Sequence, residues 1–363
     1  VFVPAQLSRA PVDYFKEDIR TETIIGKSSR NPLKLSMPVM IAGMSFGGLS
    51  KEAKIALAKG STLAGICSNT GEGGMLPEER KEARLLIAQY STGRFGVDDE
   101  YLKAADAIEI KIGQGAKPGQ GGLLPREKVT REIMKVRKLA SLQDVHSPAK
   151  HGDIKTPSDL RKKVSVLRKR SGGKPIIIKL GAGHVEEDVR IALKANPDTI
   201  AIDGLSGGTG AAPEIMLDDF GIPIIPALVQ ARTVMNKLKA KQDLVVGGGF
   251  SKGADIAKAL AMGADAVFMG FPLMVAMGCI YCRKCYIGEC PNGIATQNPK
   301  LRKRFKVQES ADKVANFLHA CAEETKMAAG ATGHDNVHKL STDDLRSMSF
   351  NMSRITGIKL VGD

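Results

Sequence analysis

The 363-residue chain has no tryptophan, and its aromatic residues amount to only 4%. So few rings argue against a surface that stacks nucleic-acid bases. The positive charge is scattered along the chain, so a nucleic-acid binder is not expected. No run approaches the ~20 apolar residues of a membrane-spanning helix, and no secretory leader opens the chain. The expected location is the cytoplasm, and the first residue, Val1, reads as the start of a processed chain or an excised domain. Acidic residues are in short supply: 39 Asp and Glu face 53 Lys and Arg, a net charge of +14. The densest basic runs, at 167–174 and 300–307, read as solvated faces, with docking of an acidic electron carrier such as ferredoxin as the sharper alternative.

Cysteine is also scarce, at six residues, but four of them crowd one stretch, "GCIYCRKCYIGECP" (278–291). A disulfide framework would distribute cysteines through a small secreted chain. Here Cys279, Cys282, Cys285 and Cys290 follow a C-x2-C-x2-C-x4-C spacing closed by Pro291, while Cys67 and Cys321 stand alone. Zinc sites usually combine two distant CxxC-type pairs. Consecutive short spacings ending in Cys-Pro read first as an iron–sulfur site, with zinc and an incidental cluster as the alternatives.

What is abundant is glycine, 39 residues gathered in blocks, within a chain that is 43% hydrophobic. Apolar, β-rich runs recur at 38–44, 65–70, 93–97, 107–113, 175–180, 199–204, 243–248 and 266–270. Helical patterns alternate with them, among them 51–62, 156–170 and 252–263. Continuous apolar strands alternating with helices mean parallel strands buried on both faces. Eight such units predict a (β/α)8 barrel; an open doubly wound sheet is the rival. A ninth run, "GIPIIPAL" (221–228), carries two prolines and reads as a loop or short edge piece. The expected organisation is an N-terminal extension over 1–30, the barrel over 31–275, a cysteine loop over 276–300 and C-terminal helices over 301–363, with Ser341 or Thr342 as a helix N-cap. The 125–155 connection, which holds His146 and His151, is long enough to be functional.

Barrel chemistry sits at the C-terminal ends of strands. The blocks "DGLSGGTGAAP" (203–213), "GGGFSKG" (247–253) and "MGFP" (269–272) follow the last three strands. Their glycines let backbone N–H groups approach an anion, helped by the next helix N-terminus, so a phosphorylated cofactor is expected; plain turn glycines are the bland alternative. Lys179 ends the fifth strand and could stabilise negative charge on a bound ring such as a reduced flavin, or serve as a rim lysine in a salt bridge. Glu72, in "SNTGEGG" (68–74), could bind an amine or shuttle a proton, although loop glutamates are often merely solvated. Glu109, Lys111 and Gly113 share one strand face. Two charges in an apolar strand must pair or bind something, so Lys111 is a candidate for a substrate carboxylate unless Glu109 and Lys111 form a structural network.

With these residues in hand, the chain resembles the flavin-binding synthase domain of glutamate synthases. The matching stretches include "MSFGGLS" (44–50), "CSNTGEGG" (67–74), "IEIKIGQGAKPGQGG" (108–122), "DGLSGGTGAAP" (203–213), "CPNGIATQ" (290–297) and "MSRITGI" (352–358). The resemblance runs over essentially the whole chain, as in archaeal-type and split forms of the enzyme. It implies an FMN-bearing barrel with an adjoining iron–sulfur cluster. The implied reaction is reductive amination of 2-oxoglutarate to glutamate through 2-iminoglutarate. Cys279, Cys285 and Cys290 match the family's ligands to a [3Fe–4S] cluster, and Cys282 adds a fourth thiolate that leaves [4Fe–4S] open. Substrate contacts carry over to Glu72, Lys111 and Arg137. Flavin contacts carry over to Met44, Ser45, Gln89, Lys179, Ser206, Gly207, Gly208, Gly248, Gly249 and Gly270. Leu123 stands where the family commonly has glutamine. The implied partners are ferredoxin or an NAD(P)H-oxidising subunit as electron donor, a separate glutaminase subunit or free ammonia as nitrogen source, and further copies of the chain in an oligomer. The alternative functions are the catalytic subunit of an N-methylglutamate synthase and a non-catalytic flavin and iron–sulfur electron-transfer subunit.

Overall fold

In the computed structural model, which describes residues 1–205, 207 and 212–363, eight strands form one sheet. They are Val39–Ile41, Cys67–Asn69, Leu85–Tyr90, Ala107–Lys111, Ile176–Gly181, Thr199–Asp203, Asp243–Gly247 and Ala266–Met269. Every pairing is parallel, and the spatial order follows chain order round the ring. The eighth strand pairs with the first, and the first and second touch, which brings the sheet round into a (β/α)8 barrel. Helices cover its outer face, including Lys51–Leu63, Pro157–Arg170, Val185–Lys194, Ile224–Lys237 and Gly253–Ala261. A 25-residue helix, Val307–Ala331, packs against the first and last of these. Among the described residues no helix is long and apolar enough to cross a membrane.

Two expectations need correction. "GRFGV" (93–97) is a loop, and the third strand is the preceding "LLIAQY" (85–90). Both runs are apolar, but Gly93 and Gly96 leave little side chain to pack in a strand, and Gly96 adopts φ 71°. "GIPIIPAL" is neither loop nor edge strand: Pro223 is the N-cap of the helix Ile224–Lys237. Pro226 falls in that helix's first turn, where its missing N–H costs no hydrogen bond. Elsewhere local signals held. Ser341 does act as an N-cap, on the short 3-10 turn Thr342–Asp344. Thr156 closes a capping box with Asp159 at the start of Pro157–Arg170.

The interior divides into two halves. Met40, Cys67, Ile87, Ala107, Ile177, Ala201, Val245 and Ala266, one from each strand, fill the lower half. The antiparallel hairpin Thr23–Ile25/Leu33–Leu35 joins this cluster through Ile25, Leu33 and Leu35. Two residues further along, the same inward face turns polar on the second to sixth strands: Asn69, Gln89, Glu109, Lys179 and Asp203, all buried. The long connection after the fourth strand carries a second hairpin, Gly122–Leu124/Val145–Ser147, and the helix Arg131–Arg137.

Candidate active site

A cavity of ≈350 Å³ opens above the polar layer, at the C-terminal ends of the strands. It joins loops that are remote in sequence: Met44 and Ser45 after the first strand, Glu72 after the second, and Gly248 and Gly249 after the seventh. Gly270 after the eighth, Arg137, Lys111, Gln89, Lys179, Gly207 and Cys285 complete that convergence. Ser206 and Gly208 lie outside the described residues.

Along one side stands a charge cluster. Lys111 Nζ lies 3.0 Å from Glu72 Oε2, and Lys117 Nζ lies 3.7 Å from Glu72 Oε1. Burial alone would raise the Glu72 carboxyl, but the two lysines outweigh it and pull the pKa down to about 2. Arg137 is buried; its Nη2 donates to the Phe46 carbonyl at 2.7 Å, and its Nε has no partner. Lys111, Lys117 and Arg137 against Glu72 leave two positive charges uncancelled, which suits a dicarboxylate. Lys111 pairs with Glu72 rather than with Glu109, so the structural network between strand neighbours considered from the sequence does not form. Lys117 was not singled out in the sequence, although it sits in the quoted "QGAKPG".

The long connection is fastened down beside this cluster. His151 is buried, stacks on Tyr90, and bonds the Lys111 carbonyl through Nε2 at 2.8 Å. Arg94 approaches its Nδ1 at 2.6 Å, so that nitrogen is the acceptor and Nε2–H donates to the carbonyl. Burial, with Arg94 beside it, holds the imidazole down to about pKa 4, neutral at ordinary pH. Lys54, also buried, ties the mouth together from below. Its Nζ donates to the carbonyls of Met44 and Asn69, both at 2.7 Å, and pairs with buried Glu79.

On the opposite side the site is built for a larger anionic ligand. Lys179 Nζ pairs with Asp203 at 3.0 Å and lies 4.9 Å from the Phe268 ring centre. Burial alone would lower its pKa; Asp203 and Glu109 reverse this and keep it protonated. Gly248 and Gly249 have φ of 109° and 90°, a region that favours glycine, and a Cβ on Gly248 would lie 3.0 Å from Gly204 backbone. The helix N-terminus expected to assist them is already answered: Gly253 N–H donates to Glu324 at 2.7 Å. That N–H is taken, and the backbone N–H groups at the glycine turns are further candidates to meet an anion. Asn69 is a further candidate that sequence reasoning missed: Gly71 N–H holds its Oδ1, and its buried Nδ2 has no partner. Lysine for a ring's negative charge, the unpartnered Asn69 amide and glycine backbone for a phosphate together fit a flavin mononucleotide.

The cysteine loop sits on this same rim. Cys285 lines the cavity, and Lys128 Nζ holds its carbonyl at 2.6 Å. Cys279, Cys282, Cys285 and Cys290 are all free thiols. Burial raises the Cys285 thiol, and Cys290, Cys279 and Cys282 raise it further. Among the described residues no three His, Cys, Asp or Glu side chains converge as they would on one metal ion. A multi-iron cluster distributes its thiolates over several irons, and an all-sulfur donor set suits that chemistry.

Comparison with known proteins agrees with this geometry. The profile described as "Conserved region in glutamate synthase" matches residues 4–335. The chain belongs to the glutamate synthase family. It is 42% identical to an archaeal glutamate synthase [NADPH] of Methanocaldococcus jannaschii, over 91% of this chain and 66% of that protein. It is 38% identical to an archaeal-type glutamate synthase [NADPH] of Thermotoga maritima, over 99% of this chain and 76% of that one. A glutamate synthase large subunit-like protein of Rhizobium meliloti is 35% identical over the full chain and 86% of its own length. Among solved structures, an active chimera of (S)-mandelate dehydrogenase aligns with TM-score 0.62 at 16% identity, over 95% of this chain and 86% of that one. That likeness concerns the barrel fold.

Proposed function

We propose that the chain is a glutamate synthase-type oxidoreductase that converts 2-oxoglutarate and ammonia to glutamate. The observation that carries this reading is that one cavity joins Lys179, Gly248 and Gly249 to Glu72, Lys111, Arg137 and Cys285. Lys111, Lys117 and Arg137 hold the two carboxylates of the substrate, Arg137 with a planar fork suited to one of them. Glu72, ionised between two lysines, accepts a hydrogen bond from the nitrogen nucleophile and relays its proton to the former keto oxygen as it adds to the carbon, a role that needs a carboxylate within hydrogen-bond reach. Water leaves to give 2-iminoglutarate. Bound FMN, when reduced, supplies the hydride. Met44, Ser45, Gln89, Lys179 and the turns at Gly207, Gly248, Gly249 and Gly270 would hold it, with Ser206 and Gly208 proposed from the sequence.

Cys279, Cys285 and Cys290, with Cys282 in reserve, would hold the cluster that feeds electrons to this rim. A soluble donor or an NAD(P)H-oxidising subunit would load it. The test is anaerobic incubation with 2-oxoglutarate, reduced ferredoxin and either ammonium or glutamine with a glutaminase. Formation of glutamate supports the proposal. Loss of the visible iron–sulfur spectrum in Cys285→Ser, with the flavin spectrum retained, supports the cluster assignment. Purified, anaerobically reconstituted protein that takes up no flavin would overturn the whole reading.

A further inference from the structure

Glu109 is a charged group of the barrel interior for which the reaction above has no use. It is fully buried in the middle of the fourth strand, with Oε1 accepting from Gln89 Nε2 at 2.6 Å and Oε2 without any partner. The register sets it directly beside Gln89 on the third strand. An unpaired buried carboxylate is costly, and an apolar residue would continue the packing of Ala107 below it. The lysine of this layer, Lys179, has Asp203 as its close partner. Close ion pairing therefore gives no reason for a second carboxylate here.

Its geometry does give one. A carboxylate only accepts hydrogen bonds, so Gln89 must turn its NH2 towards Glu109, which leaves Oε1 as the free acceptor of an amide that lines the cavity. Without Glu109 the two ends of that amide would be nearly equivalent in shape. The pyrimidine edge of an isoalloxazine carries a single N–H, at N3, between two carbonyls. An acceptor fixed in the wall matches that N–H, whereas an NH2 in its place would repel it. Glu109 also sets a second negative charge in the field of Lys179, whose protonated form it helps to hold.

From this placement we infer that Glu109 is a positioning residue for flavin: it fixes the Gln89 amide as an acceptor and offsets the charge of Lys179, thereby setting flavin affinity and reduction potential. This rests on the flavin reading above and extends it to a residue with no assigned role. Glu109→Gln keeps the shape, removes the charge and frees the amide pair to invert. With one anion gone, Lys179 favours the reduced, anionic ring more strongly, and the midpoint potential moves to a more positive value. The dissociation constant for FMN rises roughly fivefold, the worth of about one hydrogen bond.

The experiment strips the whole chain of flavin, reloads it with FMN, and measures affinity by fluorescence quenching and midpoint potential by dye-equilibrated reduction. A potential shift with weakened binding supports the inference. An unchanged potential and affinity in a folded Glu109→Gln protein overturns it, and leaves the flavin reading standing. Should that variant not fold, Glu109→Asp keeps the charge but shortens the reach to Gln89. Weakened affinity at unchanged potential then supports the inference, and unchanged affinity overturns it. If the unsubstituted chain itself binds no FMN, the functional proposal fails instead.

Discussion

The lower and upper halves of the barrel interior are built on the same eight strands with the same two-residue alternation, yet they follow opposite rules. Below, Met40, Ile87, Ile177 and Val245 fill space and need only the right size and polarity. Above, Gln89, Glu109, Lys179 and Asp203 sit equally deep but are held by named partners at 2.6 to 3.0 Å. Burial is therefore a poor guide to role in this fold. The lower half tolerates changes of identity and resists changes of volume, and the upper half does the reverse.

That contrast can be broken most sharply at Lys111. Replacing Lys111 by Met removes a cation from the rim while keeping its length. We expect kcat/KM for 2-oxoglutarate to fall roughly 10²- to 10³-fold, the range for losing one preorganised electrostatic contact, with little change in the thermal midpoint. A variant that unfolds rather than losing activity would place Lys111 with the structural half. Met40→Ala is the mirror experiment. The emptied volume should cost about 2–5 kcal/mol in denaturant-monitored stability, while KM for 2-oxoglutarate in the remaining folded protein stays unchanged.

A smaller effect should separate the two halves by pH. The neutral, buried His151 has its folded pKa lowered to about 4 from an ordinary 6.5. Between those values the unfolded chain binds a proton that the folded one refuses, so its contribution to stability is present above pH 6.5 and is lost as pH falls towards 4. Glu72, held at about 2 instead of 4.5, adds a second loss in the same direction at lower pH, as pH falls from 4.5 towards 2. Denaturant midpoints measured across this range should decline in those two stages, and His151→Gln should diminish the first only, because His338, its pKa also lowered, contributes to the same stage. The smallest change concerns Leu123, which lines the cavity with 54% of its surface exposed. Leu123→Gln, by adding a polar contact at the wall, should alter KM for 2-oxoglutarate by roughly two- to tenfold with kcat and stability nearly constant.

The sequence made the glycine blocks, the lone strand-end lysines and the cysteine spacing visible, because each is chemically anomalous in its local setting. It misplaced the third strand, since "GRFGV" and "LLIAQY" differ less in pattern than in the glycines that weaken the first. It also misread Pro223 and Pro226, which halt a strand but can begin a helix. Asn69 and Lys54 gave no signal, and His151 was visible only as part of a long connection, because an amide, a lysine on a helix and a loop histidine are ordinary in isolation. Only their burial and partners distinguish them.

By itself the sequence determined the alternation of strand and helix, the barrel that follows from it, and the residue types gathered near each strand end. These depend on periodicity and on backbone freedom, both of which are local. Which charges meet was decided by the tertiary structure: Lys111 with Glu72 rather than Glu109, Glu324 on Gly253, and Cys285 on the rim shared with Lys179. Pairing at a few ångströms depends on ring closure and on where the long connections return, and no window of neighbouring residues encodes that distance.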